Sequence, residues 1–172
     1  NNNVSIGAHP GYPDLIGFGR RNMQIPLGQI VNDVTYQIGA LTAFTSAKKL
    51  QHVKPHGAMY NQAVLDDEQA KSICQAILDS QSDAILLALS GSKWIDIAYS
   101  MGLSVAKEVF ADRALNPDGT LVSRSLKGSV ISDISEVIDR SLMIIKEGKV
   151  ECVDGTLLPL EADSICVHSD TP

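Results

Sequence analysis

Short β-rich runs alternate along this chain with longer stretches in which apolar residues return every three to four positions. Val4 to Ala8 is the first short run. Pro26 precedes an amphipathic stretch from Leu27 to Leu50, whose apolar positions are Leu27, Ile30, Val31, Val34, Ile38, Leu41 and Phe44. Proline suits a helix start, where its missing N–H costs nothing. His52 to Lys54 reads as the second strand. Asp67 to Ser80 reads as a helix with Ala70, Ile73, Cys74, Ile77 and Leu78 on one face. Ala84 to Leu89 is a continuous apolar run, the mark of a strand buried on both faces. A helix from Lys93 to Met101 ends at Gly102, and Ser104 to Val109 forms the fourth strand. Asn116-Pro117-Asp118-Gly119 is a turn within a longer loop. Asp133, with Glu136 three residues on, opens a helix that Gly148 closes. Val150 to Val153 and Leu157 to Leu160 suggest a minor hairpin about Asp154-Gly155, and Ser164 to Val167 is the last strand.

Strands alternating with helices predict a parallel sheet with right-handed crossovers. Side-chain parity favours a barrel. Ser5, Gly7 and His9 share one face of the first strand, as do His52, Lys54 and His56, then Ser104, Ala106 and Glu108, then Ser164, Cys166 and His168. The opposite face is mostly branched aliphatic, with Lys107 the exception. A tight, partly polar interior wrapped by an aliphatic outside is what a barrel requires. A full eight-stranded barrel takes roughly 250 residues. The 172 residues here predict a single (β/α) TIM-like barrel domain over the whole chain, irregular or incomplete, lacking N-terminal and C-terminal segments.

Composition narrows the class. A net charge of −6 and a sequence pI near 5.1, with no basic stripe, argue against nucleic acid or an anionic membrane as partner. The longest strongly apolar run, Ala84 to Leu89, is far too short to cross a bilayer. Asn1-Asn2-Asn3-Val4 has no basic or apolar leader character and reads as a chain entered partway through. Cys74, Cys152 and Cys166 are odd in number and form no C-x-x-C pair, which suits a reducing cytoplasm.

The predicted strands end in polar clusters: Ala8-His9-Pro10-Gly11, Lys54-Pro55-His56-Gly57, Glu108 to Arg113, and Cys166 to Asp170. In parallel sheets and barrels the C-terminal strand ends share one face, and active sites sit there. Pro55 and Gly57 shape a turn that aims Lys54 and His56, and a neutral histidine suits general-base or ligand work near pH 7. The glycine- and proline-rich loop after His9 carries Arg20 and Arg21. Their forks suit carboxylates or phosphates, or serve as surface charges or partners of Asp14. Glu108 and Asp112 fall on one side of an extended segment, where two carboxylates divide roles as acid and base, or Asp112 simply pairs with Arg113. His168 and Asp170, with His9 and His56, offer a histidine metal site, though no local ligand spacing supports one. His52 reads as an interior residue and Cys166 as packing. Ser90-Gly91-Ser92 reads as an anion-binding turn or as simple helix capping.

Taken in order, several segments resemble the LamB/YcsF family, the A component of prokaryotic 5-oxoprolinase. They are Gly7 to Leu15, Gly17-Phe18-Gly19-Arg20-Arg21, Tyr36 to Leu41, Val53 to Asn61, Glu108 to Arg113, Asp118-Gly119 with Arg124, and Cys166-Val167-His168. The resemblance implies a (β/α) barrel related to the polysaccharide-deacetylase group. It also implies ATP-dependent opening of 5-oxo-L-proline to L-glutamate in a cytoplasmic complex with subunits B and C. Carried onto these residues, it implies catalytic roles for His56, Glu108, Asp112 and Lys54, and substrate binding by His9, Arg20, Tyr60, Asn61, Arg113 and His168. No metal ligand is assigned, and a divalent metal stays open. Ser169 stands where the family has glycine, and Leu115 where tyrosine is common. The competing readings are a metal-dependent amidase or deacetylase on the same barrel, and a non-catalytic subunit that positions substrate.

Overall fold

The computed structural model describes residues 4–45 and 49–168. Ser169 and Asp170 lie outside them. The chain forms two compact units, one of Asn1–Ala88 with Lys93–Val105 and one of Leu89–Ser92 with Ala106–Pro172.

The first unit repeats strand then helix. β1 (Gly7–Ala8) leads to α1 (Leu27–Thr42), β2 (His52–Val53) to α2 (Gly57–Leu65) and α3 (Asp67–Gln81), and β3 (Ile85–Leu89) to α4 (Lys93–Ser100). β1, β2 and β3 run parallel, with Gly7 opposite His52 and His52 opposite Ile85. This register realises the two faces expected from parity. Ala8, Val53 and Leu86 are buried, while the His52 ring lies over Gly7 so closely that a β-carbon there would fall inside it. Burial, and then the Lys54 charge, lower the His52 pKa. Ile30, Val34 and Ile38 of α1 are buried, and α1 packs along α3, whose Ala70, Ile73, Cys74 and Ile77 are buried in turn. Each large aliphatic side chain in this layer contributes about 1.5–3 kcal/mol.

α1 ends eight residues short of the expected Leu50. The pattern that carries it outlasts its partner surface: Ile38 is fully buried, whereas Phe44 is 87% exposed. The Thr42 hydroxyl donates to the Ile38 carbonyl and the Thr45 hydroxyl to the Thr42 carbonyl, closing the helix. α2 is a helix that the periodicity does not announce. Its buried residues are Ala58, Met59, Tyr60 and Ala63, three of them consecutive. Asp66 then ends α2 and caps α3, accepting from the Glu68 and Gln69 N–H groups at 2.9 and 3.2 Å.

In the second unit β4 (Val105–Phe110) and β7 (Ser164–Cys166) run parallel, with Glu108 opposite Ser164 and Phe110 opposite Cys166. α5 (Ile134–Glu147) is capped as expected: Asp133 accepts from the Glu136 N–H, and Gly148 closes it in the left-handed conformation. β5 (Lys149–Glu151) and β6 (Leu157–Pro159) form the expected hairpin. Val109, Leu115, Ile144, Val150 and Cys152 form a hydrophobic core cluster of this unit. Among the described residues no helix is long and apolar enough to cross a membrane.

Candidate active site

Two polar clusters stand at strand ends, one in each unit. In the first, the Lys54 N–H donates to the Ala8 carbonyl and the His56 N–H to the Pro10 carbonyl, at 2.9 and 2.7 Å. This backbone pairing carries the β1–β2 register past the strands and sets His9 beside His56. Their ring nitrogens, His9 Nε2 and His56 Nδ1, are 2.9 Å apart. His9 Nδ1 is 2.6 Å from the Lys54 carbonyl oxygen, and His56 Nε2 is 2.7 Å from that of Phe18.

The loop that presents Phe18 is pinned. Gln37 of α1 exchanges two hydrogen bonds with Gly11, accepting from its N–H at 2.9 Å and donating to its carbonyl at 3.0 Å. The Tyr12 hydroxyl donates to Gln69, which donates onward to the Met59 carbonyl. Buried Asp14 accepts from the Gly17 N–H at 2.9 Å and pairs with the Arg21 guanidinium. The Arg21 side chain holds its carboxyl down to about 2. Arg21 is thus the partner of Asp14, while the Arg20 guanidinium sits 5.2 Å over the Phe18 ring. Phe18 adopts a φ of 54°, which is uncommon for a side-chain-bearing residue. Tyr60 is buried, its ring edge-on to Trp94 at 5.5 Å. Asn61, next on α2, is exposed.

The second cluster belongs to β4 and β7. Asp112 is buried and accepts from the His168 backbone N–H at 3.0 Å and from its Nδ1 at 3.0 Å. The Phe110 ring stacks on the imidazole at 5.9 Å between centroids and 15° between planes. An Nδ1 proton held by a carboxylate fixes ring orientation and leaves Nε2 as the working nitrogen, the usual arrangement of a general base. Glu108 is 1% exposed on the polar face of β4.

Arg113 turns to backbone carbonyls within the 111–131 loop. It is 4% exposed, and its Nε and Nη2 donate to the Ser129 and Val122 carbonyls at 3.0 and 2.6 Å. Arg140 donates to the Glu151 and Arg113 carbonyls at 2.8 and 3.1 Å. Together the two arginines hold the 111–131 loop in place. Among the described residues no three His, Cys, Asp or Glu side chains gather as metal ligands. The Ser92 hydroxyl donates to the Leu89 carbonyl and the Ser90 hydroxyl to that of Glu161, so both serve the backbone at the turn before α4.

The LamB/YcsF family model matches residues 1–172. The chain belongs to the LamB/YcsF family. Its relatives include the A component of the 5-oxoprolinase of Pyrococcus horikoshii, 51% identical over 99% of this chain and 68% of that one. The corresponding 5-oxoprolinase component of Pyrococcus abyssi is 52% identical over the same shares. Among solved structures, the lactam utilization protein from Thermus thermophilus matches with a TM-score of 0.88 at 44% identity, over 96% of this chain and 68% of that one. The fold is therefore the α/β, incomplete TIM-like barrel that the strand pattern predicts. In this family setting the pairings are new information. His9 with His56, and Asp112 with His168, are joined across 47 and 56 residues, and residue spacing alone gives no sign of either.

Proposed function

We propose that this chain is the ring-opening component of an ATP-dependent 5-oxoprolinase, hydrolysing the lactam of 5-oxo-L-proline to L-glutamate in company with subunits B and C. The observation that carries the reading is the Asp112–His168 pair at a strand end, in a chain about half identical to proteins named as the A component of 5-oxoprolinase. His168, oriented by Asp112, activates water through Nε2. Glu108 serves the amide. Arg20 or Lys54 is the proposed partner of the substrate carboxylate. Asn61 stands on an exposed face within reach of solvent-borne ligands, whereas the burial of Tyr60 and Arg113 favours supporting roles for both.

A lactam in a five-membered ring is a stable amide. Phosphorylating its oxygen activates the ring carbon: water adds there, the C–N bond breaks with the nitrogen taking a proton to become the amino group, and hydrolysis of the resulting acyl phosphate releases phosphate and leaves L-glutamate, which explains coupling to ATP. ATP is used by the complex as a whole in this reading. A cytoplasmic complex is part of this reading.

The test is glutamate release from 5-oxo-L-proline by the protein, with and without ATP and with and without subunits B and C. Release only when all are present is expected. His168→Gln should then lower kcat by about 10²–10⁴ with little change in KM, the range of a lost general base. Release without ATP would replace the reading with an ATP-independent amidase. Substrate binding without turnover in the complete mixture would replace it with a positioning role.

A further inference from the structure

The hydrogen-bond accounting at His9 and His56 requires a proton that two neutral imidazoles do not supply. His9 Nδ1 faces the Lys54 carbonyl at 2.6 Å and His56 Nε2 faces the Phe18 carbonyl at 2.7 Å. A carbonyl oxygen only accepts, so both nitrogens carry hydrogen. A neutral imidazole has one N–H. The two remaining nitrogens, His9 Nε2 and His56 Nδ1, would then both be bare lone pairs, and they stand 2.9 Å apart. That is the separation of a made hydrogen bond. One proton between them replaces lone-pair repulsion with a charge-assisted bond. A second proton would set N–H against N–H.

We infer that His9 and His56 share one proton and form a single imidazolium–imidazole cation. The row runs from the Lys54 carbonyl through both rings to the Phe18 carbonyl, and all four ring nitrogens are used within it. The charged and titratable groups on the elements around it include Lys54 and His52 on the β2 side, Tyr12, Asp14, Arg20 and Arg21 in the loop, Asp33 and Tyr36 on α1, Tyr60 on α2, and Asp66 acting on Tyr12. Asp14 is matched by Arg21, and α1 contributes the neutral Gln37. With every ring nitrogen engaged, His9 and His56 are positioning residues. They fasten the loop to the ends of β1 and β2 and set one fixed positive charge there, suited to a carboxylate-bearing substrate. The last clause rests on the function proposed above; the shared proton does not.

The test is ¹⁵N NMR of the histidine rings in the wild-type protein at pH 8. There an ordinary histidine, with a pKa of about 6.5, is about 97% neutral. Three protonated nitrogens across the two rings, with one strongly deshielded proton between them, are expected. In His9→Gln, His56 should revert to a neutral ring protonated at Nε2 alone. KM for 5-oxo-L-proline in the complete mixture should rise about tenfold, the cost of one charge-assisted contact, with kcat held. Two neutral rings in the wild type would overturn the shared proton, and a fall in kcat at unchanged KM would overturn the positioning role. Absence of turnover beside an intact three-proton signature would remove the function reading and leave the shared proton standing.

Discussion

Replacing Gly57 by alanine tests how tightly the loop before α1 is locked to the start of α2. Gly57 has a φ of 55°, and a β-carbon built there would lie 2.6 Å from the Gly19 carbonyl oxygen and 3.2 Å from its carbon. The left-handed conformation costs an L-residue about 1–2 kcal/mol. The contact is with backbone, and that same carbonyl accepts the Ala58 N–H at 2.9 Å, so relief requires moving the loop. Overpacking of this kind adds about 1–3 kcal/mol. The sum is about 2–5 kcal/mol. Gly91 is the control: its φ is 77° and, among the described residues, nothing lies within 4 Å of its added β-carbon. Gly91→Ala should therefore cost only the conformational part, about 1–2 kcal/mol. Urea unfolding of both variants, compared at constant m, reads the difference directly. In a chain of this size each kcal/mol also lowers Tm by about 2–4 °C. Equal losses in the two variants would show that the Gly19–Gly57 approach is not tight and would refute the reasoning.

Two further changes probe the supports of the two clusters. Arg140→Ala leaves the buried Arg113 carbonyl and the part-buried Glu151 carbonyl without this donor and should cost about 1–3 kcal/mol in urea unfolding, the range for one orphaned buried group; a loss under about 1 kcal/mol would show that the 111–131 loop holds itself. Asp14→Asn tests the Arg21 pair by pH. The Asp14 carboxyl is held at about 2 in the folded chain, below the unfolded value of about 3.9, so its stabilisation is present above that value and disappears as pH falls toward 2. The Tm gap between wild type and variant should be full at pH 6 and close between about pH 4 and pH 2, and a gap that ignores pH would remove the ion pair as its cause.

The residue pattern made the strand–helix alternation legible because burial imposes it directly. Ile30, Val34 and Ile38 are the buried stripe of the helix that packs on α3, and the Asp133 and Gly148 caps of α5 are local chemistry that reads the same in sequence and in space. α2 escaped because three consecutive residues, Ala58, Met59 and Tyr60, are buried together, which leaves no period to detect. α1 was overextended because periodicity reports apolar residues and not whether a surface waits for them, as exposed Phe44 shows. At the site, strand-end position gathered His9, Lys54, His56, Glu108, Asp112 and His168 as candidates. What each touches was hidden, since pairing depends on register across 47 and 56 residues. Nothing in the dipeptide Asp112-Arg113 says that the arginine turns to the Ser129 and Val122 carbonyls while the aspartate turns to His168.

Those separations also set an order of assembly. α3, α5 and the β5–β6 hairpin close through contacts near in sequence, on the microsecond scale of helices and hairpins. The histidine pairings must first bring together residues separated by 47 and 56 positions, and that entropy is spent before the contact rewards it. In refolding, the helical circular-dichroism signal should therefore recover before the His168 ring shows its Asp112-bound environment. Secondary structure will return while the chemistry is still absent, and any protease or chaperone that acts in that interval meets a chain whose helices are formed and whose reactive groups are not yet paired.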